Sequence, residues 1–100
     1  MGWASAHIAS LQEGKTVSFR PRGNSMAPRI RSGQLCTVEP VEPDAIRKGD
    51  IVLCKVRGSE YLHLVKSVQG RRFLIGNNRG GINGWIGSTS VFGRLTKVET

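Results

Sequence analysis

Apolar and polar residues alternate along much of this chain, in short runs cut by glycine and proline. Val17 and Phe19 point one way and Thr16 and Ser18 the other, which predicts a half-buried strand over Thr16 to Arg20. Further strands are predicted over Leu35 to Glu39, Ile51 to Arg57, Tyr61 to Val68, Arg72 to Ile75 and Val91 to Val98. Gly58-Ser59-Glu60 and Gly70-Arg71 read as tight turns, Pro40 to Asp50 as a loop, and Gly76 to Gly87 as a glycine-rich loop. The one clear helical period is at the start, where Ala4, Ile8 and Leu11 share a face and Gly14 is a natural stop. Met26 to Arg31 has room for a single helical turn, ended by Gly33. One short helix followed by strands with turn signals about every ten residues predicts a mostly β fold, a folded antiparallel sheet or partly open barrel. The length predicts one domain over residues 1–100.

Composition narrows the function classes. No run of about 18 apolar residues is present, so no membrane-spanning segment is expected. The opening Met1-Gly2-Trp3-Ala4-Ser5-Ala6-His7 has neither the charge nor the apolar stretch of a secretory signal, and a cytoplasmic location is the default expectation. Cys36 and Cys54 lie inside strand-like runs and are expected to be reduced and buried as small apolar residues. Two cysteines and two distant histidines lack zinc-site spacing, so neither a metal nor a cofactor is expected. The formal net charge of +8 favours acidic partners: nucleic acid, an anionic surface or an acidic protein segment. Arg20, Arg22, Arg29 and Arg31 cluster around Asn24-Ser25-Met26, as a basic binding rim or as a solvated face. His7 is expected to be an exposed helix side chain, and Trp3 and Trp85 to pack or cover a groove.

The segment richest in chemistry is Arg22-Gly23-Asn24-Ser25-Met26-Ala27-Pro28. A serine in a tight turn after a strand presents its hydroxyl clear of the sheet, and Gly23 permits a positive φ or a close approach of substrate. The Ser25 amide is then available to an oxyanion, with Gly23, Asn24 and Met26 shaping the loop around it. Taken alone, Gly-x-Ser is also compatible with an ordinary turn.

More follows in order: Lys48-Gly49-Asp50-Ile51-Val52-Leu53, then Tyr61-Leu62-His63-Leu64-Val65, then Leu74-Ile75-Gly76-Asn77-Asn78, then Val91-Phe92-Gly93-Arg94-Leu95. From Val17 to Val98 this ordered set resembles the catalytic domain shared by type I signal peptidases and LexA-type self-cleaving repressors. The resemblance implies a serine endopeptidase with Ser25 as nucleophile. Its base lies on the strand after Gly-Asp-Ile-Val, a lysine in one branch and a histidine in another; that position here is His63. Leu64 stands where an arginine often follows the base. Neutral imidazole can take the hydroxyl proton and return it to the leaving amine, whereas a lysine must first be depressed far below ~10. Lys66 falls on the opposite strand parity from His63, and parity leaves Lys55 open.

The histidine branch carries two aspartates in the following loop, and the corresponding residues here are Asn77 and Asn83. Either can orient a histidine by accepting its N–H, without the charge of a carboxylate, and either fits plain turn chemistry. The expected partner is a protein or peptide substrate lying extended beside a strand near Ser25, with small residues before the cleaved bond. Ala4-Ser5-Ala6 has that small-x-small form, and the reduced size suggests a phage or mobile-element precursor as substrate. The alternative is a catalytically degenerate module on the same fold that binds an extended peptide or nucleic acid through the basic rim. A monomer and a homodimer are both compatible with the chain.

Overall fold

The computed structural model describes residues 2–100. A helix, α1 (Ser5–Gln12), precedes seven strands: β1 (Val17–Phe19), β2 (Leu35–Glu39), β3 (Ile51–Val56), β4 (Ser59–Gln69), β5 (Arg72–Gly76), β6 (Ile82–Gly87) and β7 (Val91–Glu99). They form one antiparallel sheet in the order β1-β2-β7-β3-β4-β5-β6. The sheet curls but does not close, since β1 and β6 each pair on one side only. The fold is thus mostly β with one short helix. Among the described residues, no helix is long and apolar enough to cross a membrane.

β3 explains the layering. Its sequence is nearly all apolar because both of its faces are covered. Ile51 and Leu53 enter one cluster with Ala4, Ile8 and Leu11 from the helix region and with Val38 and Leu62. Val52, Cys54 and Val56 enter the other, with Val65, Phe73, Ile75 and Ile86. Burying each of the larger side chains stabilises the fold by about 1.5–3 kcal/mol relative to exposure. Cys36 and Cys54 are free, buried thiols in different clusters. Burial pushes the Cys54 thiol up to about 12, so it stays protonated and unreactive.

The β3–β4 hairpin turns on Arg57 and Gly58, both at positive φ (52° and 83°), which is the geometry of a two-residue turn matched to strand twist. At Gly93 on β7 a side chain has no room: a Cβ there would lie 2.7 Å from Val38 Cγ1 and 2.8 Å from the Glu39 carbonyl oxygen.

Two elements differ from expectation. Ile82–Gly87, read as loop, is the edge strand β6, paired with β5 from Arg72↔Gly87 to Gly76↔Ile82. Glycines at 84 and 87 interrupt the apolar alternation, and the pairing with β5 supplies what the pattern lacks. The loop Pro40 to Asp50 contains a 3-10 turn at Pro43–Ala45. After Ser25 the chain makes linked turns with one helix-like bond, from Ile30 N–H to the Met26 carbonyl, in keeping with the room for a single helical turn there.

Candidate active site

The serine turn is built on a chain reversal between β1 and β2. Gly33 N–H donates to the Pro21 carbonyl (2.9 Å) and the Arg20 guanidinium to the Gly33 carbonyl (2.8 Å), closing the base of the loop. Gly23 sits at φ 109°, where an L side chain is strained, and its N–H donates to Ser32 Oγ. Ala27 N–H donates to the Asn24 carbonyl. Buried Met26 and Ile30 anchor the turn in the helix-side cluster, leaving Ser25 exposed between them and the solvent. The Ser25 N–H takes no part in the hydrogen bonds that hold the turn.

His63 lies in the middle of β4, opposite Val52 of β3, and is 8% exposed. Its Nε2 is 3.1 Å from Ser25 Oγ, and its Nδ1 is 2.7 Å from Asn83 Oδ1 on β6. Asn83 Oδ1 can only accept, so Nδ1 carries the proton and Nε2 offers a lone pair to the serine hydroxyl. Tyr61, two residues along the same face, lies tilted against the imidazole with ring centroids 4.8 Å apart. Burial drives the His63 pKa below its ordinary 6.5, outweighing the Asn83 hydrogen bond that raises it, so the ring is neutral near pH 7.

The two asparagines part company. Asn83 meets His63. Asn77 does not: its Oδ1 accepts the N–H groups of Arg79 and Gly81, and its own N–H donates to the Gly81 carbonyl, so it shapes the β5–β6 turn. Asn78, which its sequence context does not mark as a site residue, ties that turn to the nucleophile. Its N–H donates to the Ser25 carbonyl (2.9 Å) and its Nδ2 to the Ala27 carbonyl (3.2 Å). Neither lysine approaches the hydroxyl as a partner. Lys55 is exposed on β3 opposite Glu60, and the Lys66 stem runs over Gly76.

β4 outruns β5. It pairs with β5 only from Leu64 onward, so among the described residues no strand lies beside Ser59 to His63 on that side. A cleft of about 620 Å³ lies here, lined among others by Ser25, His63, Leu62, Met26, Ile30, Trp3 and Glu60. Arg20 and Arg22 line it as well. Arg29 instead donates to the Gly49 carbonyl, and Arg31 is exposed outside the cleft lining.

Glu60 is the other residue with no local sequence signal. It is 8% exposed, and its two carboxylate oxygens accept from Ala4 N–H (2.7 Å) and the Ser5 hydroxyl (2.8 Å). Burial would raise its pKa, but these two bonds and the charge of Lys55 hold it below the usual carboxylate value. The Trp3 indole donates to the Glu60 carbonyl (3.1 Å) and packs edge-on against Phe19. His7, expected to be exposed, is half-buried and stacked on the same Phe19 with centroids 4.5 Å apart. Ala4-Ser5-Ala6 enters α1 with Ala4 fully buried, a poor site for cleavage of the folded chain. Among the described residues no three His, Cys, Asp or Glu side chains come together as a metal site.

A family model described as Peptidase S24-like matches residues 4–84. That match spans the serine turn, His63 and Asn83. No curated protein matches the chain.

Proposed function

Since the chain belongs to the peptidase S24-like family, we propose that it is a serine endopeptidase that cleaves an extended peptide through an acyl-enzyme, with Ser25 as nucleophile and His63 as general base. The observation that carries this is the 3.1 Å contact between Ser25 Oγ and a His63 Nε2 whose other nitrogen is already committed to Asn83. A serine hydroxyl is a poor nucleophile without an adjacent base, and a base is useful only in the right tautomer.

The reaction runs in two halves. As Oγ attacks the substrate carbonyl, Nε2 takes its proton, and the Ser25 N–H, which holds no bond within the turn, donates to the oxyanion. The imidazolium then gives that proton to the amine as the C–N bond breaks, leaving an ester on Ser25. Water attacks the ester, Nε2 takes the water proton, and the acid leaves as the proton returns to Oγ. Asn83 orients the ring throughout but brings no negative charge to the imidazolium, so slow turnover is the expected character of this enzyme.

The substrate lies along the free side of β4, as an added strand, because that side offers backbone groups with no strand beside them. The test is a peptide library incubated with wild type, Ser25→Ala and His63→Ala, with cleavage sites read by mass spectrometry. Cleavage by the wild type that falls by a factor of about 10⁴ or more in both variants supports the proposal. Cleavage that persists in His63→Ala, or none in the wild type, overturns it.

A further inference from the structure

β4 offers its free side to a peptide for only a short distance. Odd-numbered residues turn their backbone groups toward β3: Val65 N–H donates to the Asp50 carbonyl, and Gly49 N–H donates to the Val65 carbonyl. The even-numbered ones therefore face the other way, as Leu64 does toward Gly76 of β5. Leu62 and Glu60 are the next two outward-facing positions, and both line the cleft. At Leu62 nothing lies alongside in the strand order. At Glu60 the outward carbonyl is taken, because the Trp3 indole N–H donates to it at 3.1 Å.

We propose that Trp3 is a specificity-determining residue that ends the peptide groove, occupying the backbone acceptor a longer bound strand would use. This rests on the peptidase reading above. The distance from His63 to Glu60 is three residues of strand, ~10 Å at about 3.3 Å per residue, so a peptide running along β4 finds room for about three residues before the indole. The plug is fixed rather than incidental. Phe19 backs the indole edge-on at 5.5 Å, and the adjoining Ala4 and Ser5 are held by both oxygens of the buried Glu60 carboxylate. Trp3 itself remains 53% exposed, with its free surface turned to the cleft and solvent. The substrate class that follows is an extended peptide recognised over a short stretch on the β4 side of the scissile bond, with further residues on that side contributing nothing.

The test is a set of fluorogenic peptides lengthened one residue at a time from each end, measured with wild type, Trp3→Ala and Trp3→Phe. A small fluorophosphonate probe, which reaches the serine without filling the groove, is run in parallel on each protein. In wild type kcat/KM is expected to rise as residues are added on one side and to level off after about the third. In Trp3→Ala a fourth residue on that side gains about fivefold, the worth of one backbone hydrogen bond to the freed Glu60 carbonyl. Trp3→Phe, which keeps a ring but loses the N–H, gives a smaller gain. Because the expected effect is a gain, loss of fold cannot imitate it. A Trp3→Ala protein that labels with the probe but keeps the wild-type length profile overturns the inference while leaving the peptidase standing. A wild type whose serine does not label overturns both. Should Trp3→Ala fail to label, the Trp3→Phe profile decides, and a profile identical to wild type overturns the inference.

Discussion

His63 Nδ1 faces Asn83 Oδ1 across 2.7 Å, so the imidazole is oriented by an amide where a carboxylate would also have stabilised its charge. Orientation and charge stabilisation are thus separated in this molecule. Replacing Asn83 tests each alone. Asn83→Asp keeps the acceptor and adds the charge, and kcat is expected to rise by about tenfold or more, read as initial rates at saturating peptide. Asn83→Ala frees the ring to rotate and to change tautomer, and kcat is expected to fall about 10²-fold or more.

The pH profile follows from the buried ring. Only neutral His63 can accept the serine proton, and burial keeps its pKa below 6.5 against the raising effect of Asn83. The kcat/KM of the wild type should climb with pH through a midpoint under 6.5 and stay flat across neutrality. In Asn83→Asp that midpoint moves to higher pH. A wild-type midpoint above 6.5 would contradict the assignment of His63 as base.

The same shift links protonation to folding. Between the unfolded value of 6.5 and the lower folded value, the unfolded chain binds a proton the folded chain does not. Stability therefore falls as pH drops through that window, and His63→Gln flattens that part of the curve. Urea denaturation at a series of pH values measures both.

Asn78 holds the serine turn at two points. Its side chain bonds the Ala27 carbonyl, and its backbone bonds the Ser25 carbonyl. Asn78→Ala removes only the first bond, costing about 1 kcal/mol of stability. The serine turn then shifts, and a displacement of about 1 Å is enough to cost on the order of 10²-fold in kcat. A purely structural asparagine would lower Tm and leave kcat unchanged, and Asn78→Asp, which loses the donor, should resemble the alanine variant.

Gly93 tests the fold apart from the site. Its missing side chain admits Val38 and the Glu39 backbone, so Gly93→Ala should destabilise by about 1–3 kcal/mol, or on the order of 10 °C in Tm, by calorimetry.

Much of the architecture was legible because it is written in local pattern. The alternation of Val17 and Phe19, the apolar run Ile51 to Cys54 and the glycines between strands gave the elements and the class. β6 was hidden because glycines stand where side chains would have shown a period, and its existence depends on β5 beside it. Ser25 and His63 were found through family likeness, and sequence offered Asn77 and Asn83 on equal terms. Only the three-dimensional turn separates them, since Asn77 satisfies its own loop while Asn83 reaches a ring 20 positions away. Neither Glu60 nor Asn78 stands out in the sequence as a clamp. Their partners lie 56 and 51 positions distant in the chain, and a polar residue in a strand or turn looks the same whether it faces water or a clamp.

β3 divides the apolar interior in two, and the reacting groups straddle that division. Ser25 is moored by Met26 and Ile30 to the helix-side cluster, while Asn83 shares β6 with Ile86 of the opposite one. The pairing of hydroxyl and imidazole therefore depends on one central strand covered on both faces, and the two Asn78 bonds, to Ser25 and to Ala27, fasten the same seam from outside.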